Sequence, residues 1–170
     1  AGALGNRGDL VMYGDLLRDL HDLYAPLAER EGVALRLESG SGGDLRGYCH
    51  RQLLFQALVN LVENALEHGV RGDGGSREVV LRLGESESGS GACISVEDNG
   101  EGLPEEVLER ISGDETDLLP LGSTHGLGLA LVFAVARLHG GGLIFSDLES
   151  GGLRAELRLP GSPTSGGREE

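Results

Sequence analysis

The sequence predicts an α+β protein: a two-layer α/β sandwich in which helices pack on one face of a mixed, mostly antiparallel sheet. Two observations support this prediction. Segments with helical periodicity and segments with strand-like alternation follow one another without the regular alternation that a doubly wound parallel sheet requires. The chain has 170 residues, of which 39% are apolar, and this is enough to form one hydrophobic core.

The first helix and the first strand are predicted from the spacing of apolar residues. Between Leu10 and Arg30, leucines recur at helical intervals and indicate an amphipathic helix. Pro26 lies inside this segment and is expected to kink or interrupt the helix, because proline has no N–H group to donate. Residues 33–37 alternate between apolar and other side chains and predict a strand.

The second helix, over residues 50–68, has the clearest pattern in the chain. Gly69 follows it directly and is typical of a helix C-terminus. A broad apolar stripe predicts that one face of this helix is buried. The stripe consists of Leu54, Ala57, Leu58, Leu61, Val62 and Ala65.

The rest of the chain predicts two hairpins and two more helices. Residues 79–83 and 92–96 indicate strands joined by a glycine-bearing connection, and residues 143–145 and 153–159 indicate a closing hairpin. The helices are predicted over residues 104–111, with a proline in the first turn, and over residues 127–139. We expect a disordered terminus over residues 1–9, one domain over residues 10–160 and a disordered tail over residues 161–170.

Charge and cysteine content limit the possible functions. The net charge is 14 − 28 = −14, so the chain lacks the basic surface that nucleic-acid binding requires, and we expect no nucleic-acid partner. A small anionic ligand remains possible, because backbone N–H groups and a metal ion can hold it. Cys49 and Cys93 have no metal-binding spacing and are expected to be free, buried thiols in a reducing compartment.

Two asparagines in the second helix form the first candidate site. Asn60 and Asn64 lie four residues apart and therefore share one helix face, which His68 extends. Side-chain amide oxygens are neutral oxygen ligands that suit a partly hydrated Mg²⁺ ion. The alternative is a solvated helix edge, although asparagine is an unfavourable residue in the middle of a helix.

A glycine-bearing turn after the strand at 92–96 forms the second candidate site. Its sequence is Asp98-Asn99-Gly100-Glu101-Gly102. A buried Asp98 carboxylate can accept a hydrogen bond from the exocyclic amine of adenine, and Gly100 and Gly102 allow the backbone to approach a base closely. The alternative is an ordinary β-turn.

The third candidate site is a glycine-bearing helix start, Gly126-Leu127-Gly128-Leu129. Free N–H groups in the first turn of a helix, together with the helix dipole, favour a phosphate group. Ser123 and Thr124 add hydroxyl donors just upstream.

The three motifs, in this order and at these distances, resemble the ATP-binding family of DNA gyrase, heat-shock chaperone, histidine kinase and mismatch-repair proteins. Within it, the chain is most similar to the catalytic domain of a sensor histidine kinase. The resemblance covers about residues 10–160 and includes Gly151 and Gly152 before the last strand.

The resemblance implies a role for each motif in binding ATP and Mg²⁺. Asn64 coordinates Mg²⁺, and Asn60 supports the metal or the phosphates. His68 stacks on adenine, and Asp98 recognises it. The phosphates lie against Gly126, Leu127, Gly128 and Leu129 with Ser123 and Thr124 beside them, and residues 103–125 form a lid.

One residue separates kinases from hydrolases within this family. The members that hydrolyse ATP carry a glutamate base at the place of Asn60, whose amide is not a useful base near neutral pH. Glu63 projects about 100° away from Asn64 around the helix and is a poor substitute. Transfer of the γ-phosphoryl group to a histidine is therefore the expected reaction.

The resemblance also implies partners and leaves alternatives open. The acceptor histidine is expected on a separate dimerisation domain of the same kinase, with a response regulator downstream. The isolated domain is expected to be a monomer, and the full-length protein a homodimer whose cytoplasmic part includes this domain, with a possible inner-membrane anchor. Glu67 beside His68 brings no positive charge, and Arg110 is the only arginine or lysine of the lid, so the charge of the phosphates is expected to be neutralised by Mg²⁺, helix N–H groups and Arg71 or Arg77. A degenerate nucleotide-binding module, an anti-sigma-factor serine kinase and a gyrase-type ATPase are the alternatives.

Overall fold

The structure is a computed structural model. It describes residues 8–40, 44–69, 73–87, 89, 91–103, 105–106 and 124–161, and for residues 124–128 only the helix that contains them. The elements are, in order, β1 (Asp9–Met12), α1 (Tyr13–Arg30), β2 (Val33–Glu38), β3 (Arg46–Cys49), α2 (Arg51–His68), β4 (Arg77–Glu85), β5 (Ala92–Asp98), α3 (Thr124–Leu138), β6 (Gly142–Asp147) and β7 (Leu153–Leu159).

Five of the strands form one mixed sheet in the order β2-β4-β5-β7-β6. Only β2 and β4 run parallel, and every other neighbouring pair is antiparallel. The predicted fold class and both predicted hairpins are confirmed. Because strand residues alternate between faces, most leucines, valines and isoleucines of the strands lie on the helix side, and most charged residues lie on the outer side. Asp98 is an exception, because it shares the inner face with Ile94 and Val96.

The three helices pack against the inner face of the sheet. Leu17 and Leu20 of α1, Leu58 of α2 and Val132 of α3 are all fully buried beneath it. At one end, the backbone N–H of His50 donates to Nε2 of His139 over 2.9 Å, which joins the start of α2 to the end of α3. Within the described residues, no helix is long and apolar enough to cross a bilayer.

The start of the domain differs from the prediction. Leu10–Met12 belong to strand β1, which pairs with β3 in a separate ribbon, and α1 begins only at Tyr13. The N–H of Tyr13 donates to the carbonyl of Leu45 over 3.0 Å, so a neighbouring loop sets the start of the helix. Pro26 does not interrupt α1, which continues to Arg30.

Two further predictions need correction. Helix α3 begins at Thr124 and not at Leu127. Cys49 is buried, and desolvation raises the pKa of its thiol to about 11, but Cys93 is only half-buried because it lies on the outer face of the sheet. Both are free thiols, as predicted. The predicted helix over 104–111 lies outside the described residues except for 105–106.

Candidate nucleotide site

Helix α2 presents two half-buried amides beside its buried stripe. Asn60 and Asn64 lie one turn apart, and neither side chain has a hydrogen bond to any of the described residues. Their neighbours Leu61 and Ala65 are buried in the core, so the asparagines lie at the boundary between core and solvent. In this position the amide oxygens can bind a metal ion, and the amide N–H groups can donate to a phosphate.

The only carboxylate between the two asparagines is held by another helix. The Tyr24 hydroxyl of α1 donates to Oε1 of Glu63 over 2.8 Å. Burial, followed by this hydrogen bond to Glu63, raises the pKa of Tyr24 well above its usual range. Glu63 therefore lies toward α1 and does not share the face of Asn60 and Asn64.

Asp98, at the end of β5, is a buried carboxylate without an ion pair among the described residues. It is 8% exposed, and its Oδ1 accepts the N–H of Gly100 over 2.9 Å and the N–H of Leu153 over 3.4 Å. Desolvation raises the pKa of Asp98, while these two N–H groups and the charges of Arg77 and His68 act in the opposite direction. Oδ2 makes no hydrogen bond within the described part of the chain, so it can accept one from a ligand.

The ends of α2 and β5 meet through glycines. A Cβ at Gly69 would lie 2.8 Å from Cβ of Asp98, and a Cβ at Gly100 would lie 2.7 Å from the carbonyl carbon of Gly69. Only glycine allows this approach of the two backbones. The helix that carries Asn60 and Asn64 therefore ends against the Asp98 turn, and the first two predicted motifs lie together.

Asn99 is a structural part of the turn. Its Oδ1 accepts the N–H of Glu78 over 2.7 Å, and its Nδ2 donates to the carbonyl of Ser76 over 2.9 Å. These bonds fix the start of β4 to the end of β5. They also direct the Asn99 side chain to the outer side and leave Asp98 facing the helices.

Arg77, one of the cations predicted to contact the phosphates, makes different contacts in the structure. Arg77 donates from Nε to the carbonyl of Gly69 over 3.2 Å, and from Nη2 to the carbonyl of Leu66. Its guanidinium therefore caps the C-terminus of α2, where a positive charge is favourable. His68 is exposed and lies 3.7 Å from Glu67. Arg71 and Arg110 lie outside the described residues.

The third predicted motif lies at the start of α3, which packs against α2. Gly126, Leu127, Gly128 and Leu129 fall in its first two turns. Leu129 is half-buried against the hydrophobic core, so its side chain is a packing group and only its backbone can face a ligand. Ser123 lies outside the described residues, and the side chain of Thr124 is not described.

Sequence reasoning missed the residues that support Asp98 from β7. The Leu153 N–H contacts its carboxylate, and Gly152, with φ +112°, lies directly under its carbonyl, since a Cβ there would lie 1.9 Å from that oxygen. The Gly151-Gly152 pair before the last strand is the only sequence signal for this contact.

This combination of fold and motifs defines a class of nucleotide-binding domain. Residues 49–163 match the family described as Histidine kinase-, DNA gyrase B-, and HSP90-like ATPase. The match covers well over half of the chain, so the chain belongs to this family.

Individual relatives come from the sensor kinase branch of the family. The sensor histidine kinase GtrS of Pseudomonas aeruginosa is 36% identical over 107 residues, which cover 63% of this chain and 21% of GtrS. The alginate biosynthesis sensor protein KinB of Pseudomonas aeruginosa is 32% identical over 152 residues, which cover 89% of this chain and 24% of KinB. The chain thus spans about a fifth to a quarter of the length of these curated relatives.

A solved structure supports the same fold. The catalytic domain of histidine kinase ThkA superposes with a TM-score of 0.75 at 24% identity, covering 91% of this chain and 96% of that domain. At this identity the similarity concerns the fold alone.

Proposed function

We propose that this chain is the ATP-binding catalytic domain of a sensor histidine kinase, which transfers the γ-phosphoryl group of ATP to a histidine on a separate dimerisation domain. The observation that carries the proposal is the pairing of Asn60 and Asn64 on a helix whose intervening carboxylate, Glu63, is bonded to Tyr24. A hydrolase needs a base beside the γ-phosphate. A kinase must instead keep water unreactive until the acceptor arrives.

The residues of the site fit ATP. The free Oδ2 of Asp98 suits the exocyclic amine of adenine, which carries a proton to donate, and the backbone of Gly100 and Gly102 can border the base. His68 is exposed next to this turn and can stack on the ring. The start of α3 supplies backbone N–H groups for the phosphates.

The residues also fit Mg²⁺. Asn64 supplies an amide oxygen as a metal ligand, and Asn60, one turn earlier, supports the metal or the phosphates. When bound, Mg²⁺ neutralises charge on the phosphate oxygens, which is what phosphoryl transfer requires most besides positioning. A metal ion is especially useful here, because Arg77 caps α2 and the chain has a net charge of −14.

The names of the relatives support the proposed partners. GtrS is described as a sensor histidine kinase, and a kinase of this kind requires an acceptor histidine, from which we propose that the phosphoryl group passes to a response regulator. We place the domain on the cytoplasmic side, as part of a homodimeric full-length kinase.

Phosphotransfer by the full-length protein tests the proposal. Incubation with labelled ATP and Mg²⁺ is expected to give a label on histidine that is acid-labile and stable to base. Asn64→Ala is expected to abolish the label, because it removes a metal ligand, whereas the matched control Gln52→Ala changes an exposed residue of the same helix and is expected to retain it. Release of phosphate without labelled histidine would contradict the proposal.

A second candidate function is nucleotide binding without transfer, as in a degenerate regulatory module. The acidic Glu67 beside His68 and the structural use of Arg77 favour it. Calorimetry that shows ATP binding by a full-length protein that labels no histidine would select this alternative. Label on a serine of a partner protein would instead select an anti-sigma-factor type of kinase.

A further inference from the structure

The turn between β6 and β7 is built against the Asp98 segment. The N–H of Leu148 donates to the carbonyl of Gly152 over 2.9 Å, and the N–H of Gly151 donates to the carbonyl of Leu148 over 2.9 Å. These bonds close a tight turn. At its end, Gly152 contacts the backbone of Asp98 and Asn99, where any Cβ would clash. The turn therefore has a defined position relative to the base pocket.

Asp147 extends this contact to the far end of the same segment. It is the last residue of β6, and its Oδ1 lies 3.4 Å from the N–H of Leu103. A Cβ on Gly102 would lie 2.7 Å from the same oxygen, and Gly102 has φ +76°. The backbone conformation therefore favours glycine at this position, and the absence of a side chain lets the Asp147 carboxylate lie close to it.

We infer that Asp147 is a positioning residue of the nucleotide site, which holds Gly102 and Leu103 so that the backbone from Gly100 to Gly102 keeps its distance from the base. This inference rests on the proposed function. Asp147 acts through Gly102 and does not itself contact the nucleotide. Together, Leu153 holds one end of the segment through Asp98, and Asp147 holds the other end.

The contacts of Asp147 separate this role from a role in folding. Its side chain is exposed, and the pairing of β6 with β7 uses only its backbone, opposite Leu153. Because the Asp147 carboxylate is exposed to water, its removal leaves no cavity in the core, and we expect the fold to lose little stability. The N–H of Leu103, by contrast, loses the acceptor that fixes its orientation.

Nucleotide binding by the full-length protein tests the inference. Asp147→Ala is expected to weaken ATP binding about fivefold, the scale of one lost hydrogen bond, and to reduce the preference for ATP over GTP by a similar factor. Asp147→Asn keeps an oxygen acceptor and is expected to bind within about twofold of the wild type. Glu149→Gln changes an exposed residue in the same turn and is the matched control.

The outcomes separate the inference from the proposed function. Wild-type protein that binds no ATP would contradict the proposed function and, with it, the inference. ATP binding by the wild type with unchanged affinity and base preference in Asp147→Ala would overturn the inference alone. A loss in Asp147→Ala that Asp147→Asn shares fully, or that accompanies an equal loss of thermal stability, would also overturn it, because the lost group would then be the charge or the fold.

Discussion

Glu97 and Asp98 are neighbours in β5, are buried to almost the same extent, and have opposite surroundings. Glu97 is 6% exposed and Asp98 is 8% exposed. Glu97 lies on the outer face of the sheet, where Arg82 approaches it to 3.1 Å and Arg154 to 2.7 Å. Asp98 lies on the helix side and has two backbone N–H donors but no cation in ion-pair contact within the described residues.

The difference shows which of the two acids is available to a ligand. A buried carboxylate is costly unless charged partners or hydrogen bonds compensate it. The two arginines compensate Glu97 within the fold and leave it little capacity for another partner. Asp98 is compensated only in part, which raises its pKa, and its side chain lies against Gly69 at the end of α2. Such incomplete compensation is typical of binding sites.

The substitution Asp98→Asn tests the comparison most strongly. It replaces the carboxylate oxygen that accepts the adenine amine with an amide NH2 group, which cannot accept, and we expect ATP affinity to fall by about 10- to 100-fold, the range for a hydrogen bond to a charged group. Thermal unfolding is expected at the same temperature or higher, because the amide can still accept the two N–H groups without the cost of a buried charge. Calorimetry and melting curves measure the two effects, and a large loss of stability would show that Asp98 is structural.

The substitution Glu97→Gln is the matched change on the other face. It leaves two arginines without their shared carboxylate, and we expect a loss of about 2 kcal/mol in the free energy of unfolding, a value reduced by the partial exposure of both arginines. ATP affinity is expected to stay within about twofold. Urea denaturation measures the stability, and a tenfold loss of affinity with little destabilisation would reverse the assignment of the two acids.

The pH dependence of binding sharpens the comparison. Since the pKa of Asp98 is raised, ATP affinity is expected to fall as pH falls through this raised value, where the carboxylate gains a proton. The folded state binds that proton more tightly than the unfolded state, so the contribution of Asp98 to stability is present at pH values below its unfolded pKa and is lost as pH rises through the folded pKa. The Asp98→Asn variant is expected to lack both dependences.

The smallest expected effect concerns an exposed pair on the outer face. Arg158 lies 2.7 Å from Glu156, and its side chain is half exposed. We expect Arg158→Gln to change the free energy of unfolding by less than about 0.5 kcal/mol. Chemical denaturation of Arg158→Gln and Glu97→Gln under the same conditions compares their free energies of unfolding. Equal losses in both variants would mean that burial of Glu97 adds nothing to its ion pairs.

Local patterns in the sequence were sufficient for most of the fold. The bounds of α2 are correct to one residue, because its apolar stripe repeats over about three turns and Gly69 ends the helix. The strands of both hairpins were also predicted, since alternation marks them directly. The ribbon of β1 and β3 was not, because a four-residue strand such as Arg46–Cys49 has too few residues for a pattern and depends on its partner.

The candidate site was predicted in its motifs but not in its contacts. The spacing of Asn60 and Asn64 and the glycines after Asp98 are sequence features. The roles of Tyr24 and Arg77 are not, because the tyrosine meets Glu63 across 39 residues and the arginine caps a helix that ends nine residues before it. No local sequence pattern distinguishes an arginine that caps a helix, such as Arg77, from an arginine that binds phosphate.

The sequence by itself determined which residue types are available to this protein: amides on one helix face, an acid at a strand end and glycines where backbones must approach. These properties depend on short-range periodicity and on the conformational freedom of glycine. Only the tertiary structure decided that Glu97 would be neutralised and Asp98 left available. That outcome depends on the face of the sheet and on arginines from two other strands, which no local pattern encodes.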